Sequence, residues 1–372
     1  MNRKALWALV AILALVLAAC SPADEGGDET TTTAETTETT EDMTTTTEAM
    51  TTTTEEMVEV GSEAHPIQVL FVPSVDQAEI LAGGEVLQET LEAETGLHFE
   101  VSVPTSYAAV LEEMCASPDD TMGFIPAQAY VLGSDKCGIE VALKSLRFGY
   151  TEYWTQFIVP RDSDIETLDD LNGTTWAYPD TGSTSGFLVP SGMFESMGIV
   201  VGEESEVGSH DAAVQAVYDG SADFGTTFYS PPVDSEDNSL WDGDPDNGDV
   251  PDDLVDSCAL DADGEILCGD DFYPRDARRN IREAAPDVIQ RVKILTLSDP
   301  IPNDTLSYSP DFPDELSEQI NAALEVFAAD DPEGFGTAFD AYSWSGVAST
   351  TDAEFDSIRA LLAALGFTED DL

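Results

Sequence analysis

Short apolar runs that alternate with helical patterns are the feature that most constrains how this chain can fold. Residues 67–73, 97–103 and 121–125 have the length and composition of β-strands, and residues 77–94 and 106–114 between them have the apolar spacing of helices. Strands that alternate with helices along a chain form a mostly parallel sheet with helices packed on its faces. This part of the sequence therefore predicts an α/β fold.

A further strand-and-helix segment predicts a second lobe. The aromatic run at residues 153–159 has the pattern of a strand that leaves the first sheet, and the segment Ile301-Pro302-Asn303-Asp304 has the pattern of a turn that returns to it. We assign residues 65–152 and 300–372 to lobe 1 and residues 153–299 to lobe 2. Together the two lobes are long enough to bury substantial cores.

The first 64 residues differ in composition from the rest of the chain. Residues 1–19 begin with positively charged residues and continue with an apolar run that is shorter than a transmembrane helix requires. This pattern predicts a cleaved export signal. The ending Leu17-Ala18-Ala19-Cys20 resembles a bacterial lipobox, which implies that Cys20 becomes the lipidated first residue; the alternative is an ordinary export signal beside a chance cysteine. Residues 20–64 are mostly Thr and Glu and predict a disordered tether, because they have too little apolar surface to offset chain entropy.

The charge of the chain is strongly negative. There are 13 Lys and Arg against 75 Asp and Glu, for a formal net charge of -62. This balance excludes nucleic acid as a natural partner, because a phosphate backbone requires basic patches. It would also repel an anionic ligand at long range unless salt screens the field.

Four of the cysteines follow Cys20, and an even number outside the cytoplasm indicates disulfides. Three pairings are possible, and the simplest is the local one, Cys115–Cys137 with Cys258–Cys268. Metal binding by these cysteines is the weaker alternative because no C-x-x-C spacing occurs.

A hydroxyl-rich segment lies between a predicted strand at residues 174–178 and a helical pattern at residues 187–197. It contains Ser183, Thr184 and Ser185, with glycine on either side. The N–H groups of a first helical turn lack partners within the helix, so this junction is suited to binding an anion. The alternative is that Ser183 simply caps the helix.

An acidic stretch, which we call the acidic insertion, interrupts the pattern at residues 231–272. Its aspartates resemble the spacing of a calcium-binding loop at Asp242, Asp244, Asp246 and Asp253. Pro245 and the late glycine at position 248 suit such a loop poorly, so the sequence favours a solvated acidic loop over a calcium site.

Taken in order, seven short segments resemble the substrate-binding proteins of phosphate, phosphite and phosphonate ABC transporters, a type II periplasmic-binding-protein family. The segments are VPTSYAAV (103–110), PAQAY (126–130), LDDLNG (168–173), STSG (183–186) followed by Pro190, GSHDA (208–212), GSAD (220–223) and IPND (301–304). The resemblance covers nearly all of residues 67–328 except the acidic insertion.

This resemblance implies a two-lobed fold in which each lobe is a mixed, mostly parallel sheet flanked by helices, with a two-strand hinge between them. It implies a monomeric, extracytoplasmic binding protein, not an enzyme, that needs no cofactor. Such a protein closes on a tetrahedral oxyanion and delivers it to an ABC permease and ATPase complex. With a lipid at Cys20, it would be anchored to the outer face of the cell membrane.

The resemblance also implies ligand-binding residues. Ser183, Thr184 and Ser185 would donate hydrogen bonds to the oxyanion, and His210 would donate from the same lobe. From lobe 1, Tyr107 and Tyr130 would reach the ligand. We expect neutral donors, and not net charge, to hold the anion.

Each of these residues also has a purely structural interpretation. The two tyrosines would otherwise be core or rim aromatics, and His210 a residue at a helix start. Asp223 could contact a ligand amine or could stabilise a turn.

Two other functions are consistent with the sequence. A surface receptor could bind the same ligand and signal to a membrane partner. A serine hydrolase acting on phosphoesters could use Ser183, His210 and Asp223, although Ser183 lacks the G-x-S-x-G elbow of such enzymes.

Overall fold

Two β-sheets organise the protein, and the chain passes between them twice. The computed structural model describes residues 59–368 and Asp371, which lie within one unit that extends from Glu56 to Leu372. The predicted export signal at residues 1–19, Cys20 and most of the predicted tether lie outside the described residues. Residues 59–64, which the sequence assigns to the tether, are described, and the Gly61 carbonyl accepts a hydrogen bond from the His98 N–H at 2.9 Å.

Strands occur throughout the described residues. They are β1 Ile67–Phe71, β2 Phe99–Ser102, β3 Thr121–Ile125, β4 Glu140–Leu146, β5 Glu152–Pro160, β6 Thr175–Tyr178, β7 Glu203–Glu206, β8 Phe224–Tyr229, β9 Ala259–Leu260, β10 Ile266–Leu267, β11 Val292–Leu297, β12 Ile301–Pro302, β13 Thr305–Tyr308 and β14 Gly346–Ser349.

Helices connect most of these strands. The α-helices are α1 Gln77–Thr95, α2 Tyr107–Ala116, α3 Ala127–Cys137, α4 Val189–Met197, α5 His210–Tyr218, α6 Asp252–Val255, α7 Val288–Arg291, α8 Asp314–Asp330, α9 Pro332–Ala338 and α10 Asp356–Leu365. Short 3₁₀ turns lie at Leu168–Leu171, Pro245–Asn247, Ala277–Ile281, Asp340–Tyr342 and Asp352–Phe355, and a π-helical turn lies at Thr184–Leu188.

Helix α1 shows how local sequence sets these boundaries. The Asp76 carboxylate accepts a hydrogen bond from the Ala78 N–H at 2.9 Å and so caps the first turn. Gly96 ends the helix with φ of 72°, a conformation that glycine adopts without strain. Leu87 and Leu91 of this helix are buried against the sheet, as the predicted apolar spacing requires.

The first sheet has the strand order β14-β4-β13-β3-β1-β2. Its pairings β1–β2 and β1–β3 are parallel, whereas β13 pairs with β3 and β4 in antiparallel fashion, as does β14 with β4. The second sheet has the order β11-β5-β8-β6-β7, with parallel pairings β6–β7 and β6–β8 and antiparallel pairings of β5 with β8 and β11. Both sheets are mixed, as expected, but antiparallel pairings are at least as frequent as parallel ones, which corrects the expectation of mostly parallel sheets.

The two passages of the chain between the sheets lie side by side. Strand β5 enters the second sheet after β4, and β12 returns to β13 of the first sheet. Strand β12 pairs antiparallel with the start of β5, where Ile301 is opposite Tyr153. The Asn303 side-chain amide donates to the carbonyls of Ser145 and Tyr150 at 2.9 Å each, so it holds the two passages together.

The acidic insertion is attached to the rest of the second sheet's lobe by ion pairs. Its Glu265 carboxylate pairs with three arginines, Arg275, Arg279 and Arg282, at 3.2, 3.3 and 2.7 Å. Asp249 pairs with Arg161 and Arg278. These ion pairs therefore attach the acidic insertion to its lobe.

Both disulfides have the local pairing that the sequence predicts. Cys115–Cys137 joins α2 to the end of α3, and Cys258–Cys268 closes a loop within the acidic insertion. In the part of the chain that the structure describes, no helix combines the length and apolar character needed to span a membrane.

Candidate functional site

A small cavity lies between the two sheets, beside the hinge strands. Its volume is about 30 Å³. Five of the segments that surround it follow the carboxyl ends of the parallel strands β1, β2, β3, β6 and β7, which is where ligands bind in open α/β sheets. The polar residues in its wall are Ser74, Tyr107, Arg147, Tyr153, Ser183, Ser185, His210, Asp304 and Tyr342.

The hydroxyl-rich segment after β6 forms a π-helical turn before α4 begins. The Ser183 hydroxyl caps this turn by accepting a hydrogen bond from the Gly186 N–H at 3.1 Å. Thr155 and Thr226, on neighbouring strands, donate to the carbonyls of Ser185 and Gly186. The strands therefore fix the backbone of the turn, and Ser183 and Ser185 line the cavity. Ser183 is both the cap and a wall residue, so the two interpretations of the sequence are compatible.

Gly182 lets the opposite lobe approach this segment closely. A Cβ atom added at Gly182 would lie 2.5 Å from Cβ of Tyr107, at the start of α2. Tyr107 itself is buried and lines the cavity. Burial raises the pKa of the Tyr107 hydroxyl well above its usual value, so the group stays protonated and can act as a neutral donor.

His210 contributes an imidazole from the first turn of α5. The His210 backbone N–H donates to the Ser74 carbonyl at 2.8 Å, and the imidazole Nε2 lies 3.4 Å from Oγ of Ser183. Burial, reinforced by the positive charge of Arg147, lowers the pKa of His210 to about 3. The imidazole is therefore neutral at physiological pH, and its buried Nδ1 has no hydrogen-bond partner among the described residues.

Arg147 places a positive charge in the cavity wall, immediately after β4. Its side chain is buried and forms an ion pair with Asp304 through Nη2. The guanidinium carbon lies 4.5 Å from the centre of the Tyr153 ring and 5.5 Å from that of Phe228. Its Nε and Nη1 are buried without a hydrogen-bond partner among the described residues, so two donors remain available.

Several contacts join the two lobes around the cavity. The Gln128 N–H donates to Oγ1 of Thr184, and its side-chain amide donates to the Thr181 carbonyl, both at 2.9 Å. On the other side, the Asp76 N–H donates to the Asp211 carboxylate at 3.1 Å. The cavity is therefore enclosed by hydrogen bonds that a separation of the lobes would break.

Of the predicted ligand residues, Tyr107, Ser183, Ser185 and His210 come together at the cavity. Thr184 lies in the same turn, but its hydroxyl accepts the hydrogen bond from the Gln128 N–H instead of facing the cavity. The role that the structure supports for Thr184 is thus contact between the lobes.

Tyr130 lies away from the cavity wall. Its hydroxyl donates to Asp352 at 2.6 Å, and its ring packs edge-to-face against Phe355. The geometry therefore supports the alternative that Tyr130 is a packing residue tied to the C-terminal segment.

Asp223 also lies outside the cavity wall. Its carboxylate accepts a hydrogen bond from the Thr175 N–H at 2.8 Å, which stabilises the start of β6. A triad of Ser183, His210 and Asp223 does not form, because Asp223 is engaged there and Nδ1 of His210 is unpartnered in the described structure. With its pKa lowered to about 3, His210 would also be a poor general base near neutral pH.

The acidic insertion does not present a calcium loop. The Asp242 and Asp244 carboxylates accept backbone N–H groups two residues later, and the Asp246 carboxylate accepts the Thr296 hydroxyl. Asp253 lies in α6, away from this turn. Among the described residues, no group of three or more His, Cys, Asp or Glu side chains is placed to hold a metal ion.

Sequence reasoning missed five of the nine polar wall residues: Ser74, Arg147, Tyr153, Asp304 and Tyr342. The sequence led us to expect neutral donors, and not net charge, at the site; Arg147 adds a buried positive charge to the cavity wall that this expectation did not include. A usable signal was present, because basic residues are scarce in this chain and Arg147 stands beside the aromatic segment that crosses between the lobes. Asp304 belongs to the IPND segment but was not assigned a role there.

Comparison with known proteins agrees with this geometry. A family model described as an ABC transporter, phosphonate, periplasmic substrate-binding protein matches residues 69–355. The phosphate-import protein PhnD of Mycolicibacterium smegmatis is 29% identical over an alignment of 177 residues, and the match covers 44% of this chain and 54% of that protein. The chain thus spans about half the length of this curated relative.

Solved structures share the fold. A binding protein component of an ABC phosphonate transporter from Pseudomonas aeruginosa has a TM-score of 0.60 at 18% identity, covering 79% of this chain and 84% of that one. PhnD1 from Prochlorococcus marinus, solved in complex with methylphosphonate, also has a TM-score of 0.60, at 12% identity, with 81% and 98% of the two chains covered. Both likenesses support the two-lobed periplasmic-binding-protein fold.

Proposed function

The chain belongs to the family of periplasmic substrate-binding proteins of phosphonate ABC transporters, and we propose that it captures a phosphate, phosphite or phosphonate oxyanion between its lobes. Capture occurs by closure about the hinge strands β5 and β12, with no bond chemistry. The bound oxyanion is then delivered to an ABC permease and ATPase complex.

The observation that carries this proposal is the convergence of donors from both lobes on one enclosed cavity. Ser183, Ser185 and His210 approach from the second lobe, and Tyr107 approaches from the first. Hydrogen bonds to a charged oxygen are about twice as strong as those between neutral groups, so a ligand that bridges these donors draws the lobes together. The relatives are consistent with this ligand class, since one is named for phosphate import and another was solved with methylphosphonate.

We further propose that the protein is a monomeric lipoprotein with two lobes. An export signal at residues 1–19 and a lipid on Cys20 would anchor it to the outer face of the membrane, and residues 20–58 would tether the folded part. The lobe boundaries 65–152 with 300–372, and 153–299, are supported by the assignment of strands β1–β4, β13 and β14 to one sheet and β5–β8 and β11 to the other.

A calorimetric titration with phosphate, phosphite and methylphosphonate tests the proposal. We expect at least one of these anions to bind, and Ser185→Ala to weaken that binding by about 1–3 kcal/mol, the range for a lost hydrogen bond to a charged group. Ser196→Ala is the matched control, because the Ser196 hydroxyl is exposed and bonds only within α4. Absence of binding by all three anions would exclude the proposed function.

A second pair of variants tests the location of the site. Tyr107→Phe should weaken binding, whereas Tyr130→Phe should leave affinity unchanged, because Tyr130 bonds to Asp352 away from the cavity. The opposite result would place the ligand elsewhere in the protein.

A further inference from the structure

The geometry points to Arg147 as a residue that restricts this site to small oxyanions without a cationic tail, such as phosphate and phosphite. The inference rests on the proposed function and narrows its substrate class. Under this inference, the site does not accept aminoalkylphosphonates, in which an ammonium group lies two or three bonds from the phosphorus-bound carbon.

The first step is that Arg147 has buried donor atoms without a hydrogen-bond partner in the described structure. The side chain is 4% exposed, and its Nη2 is paired with Asp304 while Nε and Nη1 have no partner among the described residues. A buried donor without a partner destabilises the protein, and more strongly when it is charged. A ligand oxygen that accepts from these atoms removes this destabilisation, so the guanidinium favours an anionic group.

The second step is that Arg147 cannot readily leave the cavity. Its guanidinium lies between the rings of Tyr153 and Phe228, at 4.5 and 5.5 Å from their centres. The ion pair with Asp304 fixes its far side. Both contacts hold the cation in the wall, where cation–π attraction adds to the ion pair.

The third step concerns the carboxylate that an ammonium tail would need. Asp304 is the one carboxylate in the cavity wall among the described residues, and Arg147 already occupies it. An ammonium group placed at Asp304 would therefore lie beside a buried guanidinium. Like charges at such separations repel strongly in a site with little water.

The fourth step is the size of the cavity. One water requires about 10–15 Å³ of such a cavity, so about 30 Å³ holds roughly two water-sized groups. A five-atom oxyanion already exceeds this volume, so the wall must move outward to admit it. The additional atoms of an aminoalkyl tail require a larger movement, which would strain the hydrogen bonds between the lobes.

The test is a calorimetric titration of the protein with phosphate, phosphite and 2-aminoethylphosphonate. We expect phosphate or phosphite to bind at least 30-fold more tightly than 2-aminoethylphosphonate. Equal or tighter binding of 2-aminoethylphosphonate would overturn the inference while leaving the proposed function intact. Absence of binding by all three would instead overturn the proposed function, and the inference with it.

Variants then identify the residue responsible. The double variant Arg147→Gln/Asp304→Asn removes both charges without leaving a buried carboxylate unpaired. It should reduce the preference for phosphate or phosphite over 2-aminoethylphosphonate at least tenfold. Arg161→Gln is the control, because Arg161 likewise forms an ion pair, with Asp249, but is more exposed than Arg147 and lies outside the cavity wall. An unchanged preference in the double variant would exclude Arg147 as the determinant.

A conservative variant keeps the inference testable if the double variant does not fold. Arg147→Lys retains the positive charge but loses the planar set of donors. It should bind phosphate more weakly and still discriminate against 2-aminoethylphosphonate. Loss of that discrimination in Arg147→Lys would contradict a role for the charge.

Discussion

The backbone N–H of Gln128 donates a hydrogen bond to Oγ1 of Thr184 at 2.9 Å, and this contact joins the start of α3 in one lobe to the hydroxyl-rich turn in the other. Both residues are fully buried. The same turn that provides Ser183 and Ser185 to the cavity thus also provides a contact between the lobes. Ligand binding and closure are therefore coupled through one short segment.

Replacing Thr184 tests this coupling. Thr184→Val keeps the approximate shape of the side chain and removes the acceptor, which leaves the buried Gln128 N–H without its partner and should destabilise the closed form by about 1–3 kcal/mol. Because no ligand donor is removed, we expect an affinity at least about fivefold weaker with a faster dissociation rate, measured by stopped-flow fluorescence. Thr174→Val is the control, since the Thr174 hydroxyl bonds to the Leu171 carbonyl within one lobe. Equal dissociation rates in the two variants would contradict the coupling.

Much of the fold could be predicted from the sequence, because its buried strands have distinctive apolar runs. Strand β3 has the predicted bounds, and α1 begins at Gln77 as predicted and ends at Thr95, one residue beyond the predicted end. Several strands were missed. Strand β13, Thr-Leu-Ser-Tyr, is buried inside its sheet but is short and half polar, and β7 and β14 carry weaker signals still. Strand β7 is Glu-Glu-Ser-Glu at the edge of its sheet, and β14 is Gly-Val-Ala-Ser, also at an edge, so neither has an apolar face to detect.

The site was only partly predictable, because a local sequence pattern does not reveal which way each side chain faces. Ser183 and Thr184 are neighbours in a hydroxyl-rich turn, yet one lines the cavity and the other contacts Gln128. That difference depends on the π-helical turn and on the position of the other lobe. Arg147 was missed for a similar reason, since its partner Asp304 is distant in the sequence and meets it only at the hinge.

Gly182 gives a second prediction about closure. A Cβ at this position would lie 2.5 Å from Cβ of Tyr107 in the opposite lobe, a distance that real contacts do not show. Gly182→Ala should therefore hold the lobes apart and weaken oxyanion binding at least tenfold in a calorimetric titration. The unliganded protein should melt within a few degrees of the wild type, because the clash is between lobes and not within a core.

Gly336→Ala provides the comparison for this variant. A Cβ at Gly336 has no heavy atom within 4 Å, and the residue lies in helix α9. Alanine there should leave affinity unchanged and be neutral or slightly stabilising. Unchanged affinity in Gly182→Ala as well would show that Gly182 is not at a closing interface.

The buried imidazole of His210 predicts how stability depends on pH. Its folded pKa is lowered to about 3 from an ordinary value of 6.5, so between these values the unfolded chain binds a proton that the folded protein does not. The free energy of unfolding contributed by His210 is thus fully present above pH 6.5 and falls as pH decreases, by at most about 1.4 kcal/mol per pH unit.

Urea denaturation at pH 7.5 and pH 5.0 measures this contribution. Between pH 7.5 and pH 5.0, the free energy of unfolding of the wild type should fall by about 2 kcal/mol more than that of His210→Gln. The reason is that pH 5.0 is 1.5 units below the ordinary histidine pKa. Thr174→Val introduces no titrating group and should follow the wild type. Identical losses in wild type and His210→Gln would mean that His210 is protonated in the folded protein.

The two disulfides should differ in their effects because they constrain different parts of the protein. Cys115–Cys137 closes a separation of 22 residues and ties α2, which positions Tyr107, to α3, which positions Gln128. Cys258–Cys268 closes a separation of 10 residues within the acidic insertion. Replacing Cys115 and Cys137 with alanine should lower stability by about 3 kcal/mol and also weaken oxyanion binding, because both helix starts contact the opposite lobe. Replacing Cys258 and Cys268 should lower stability by less and leave affinity unchanged. Thermal denaturation and calorimetric titration of both double variants measure these effects. A larger loss of stability or affinity in the Cys258/Cys268 variant would contradict this prediction.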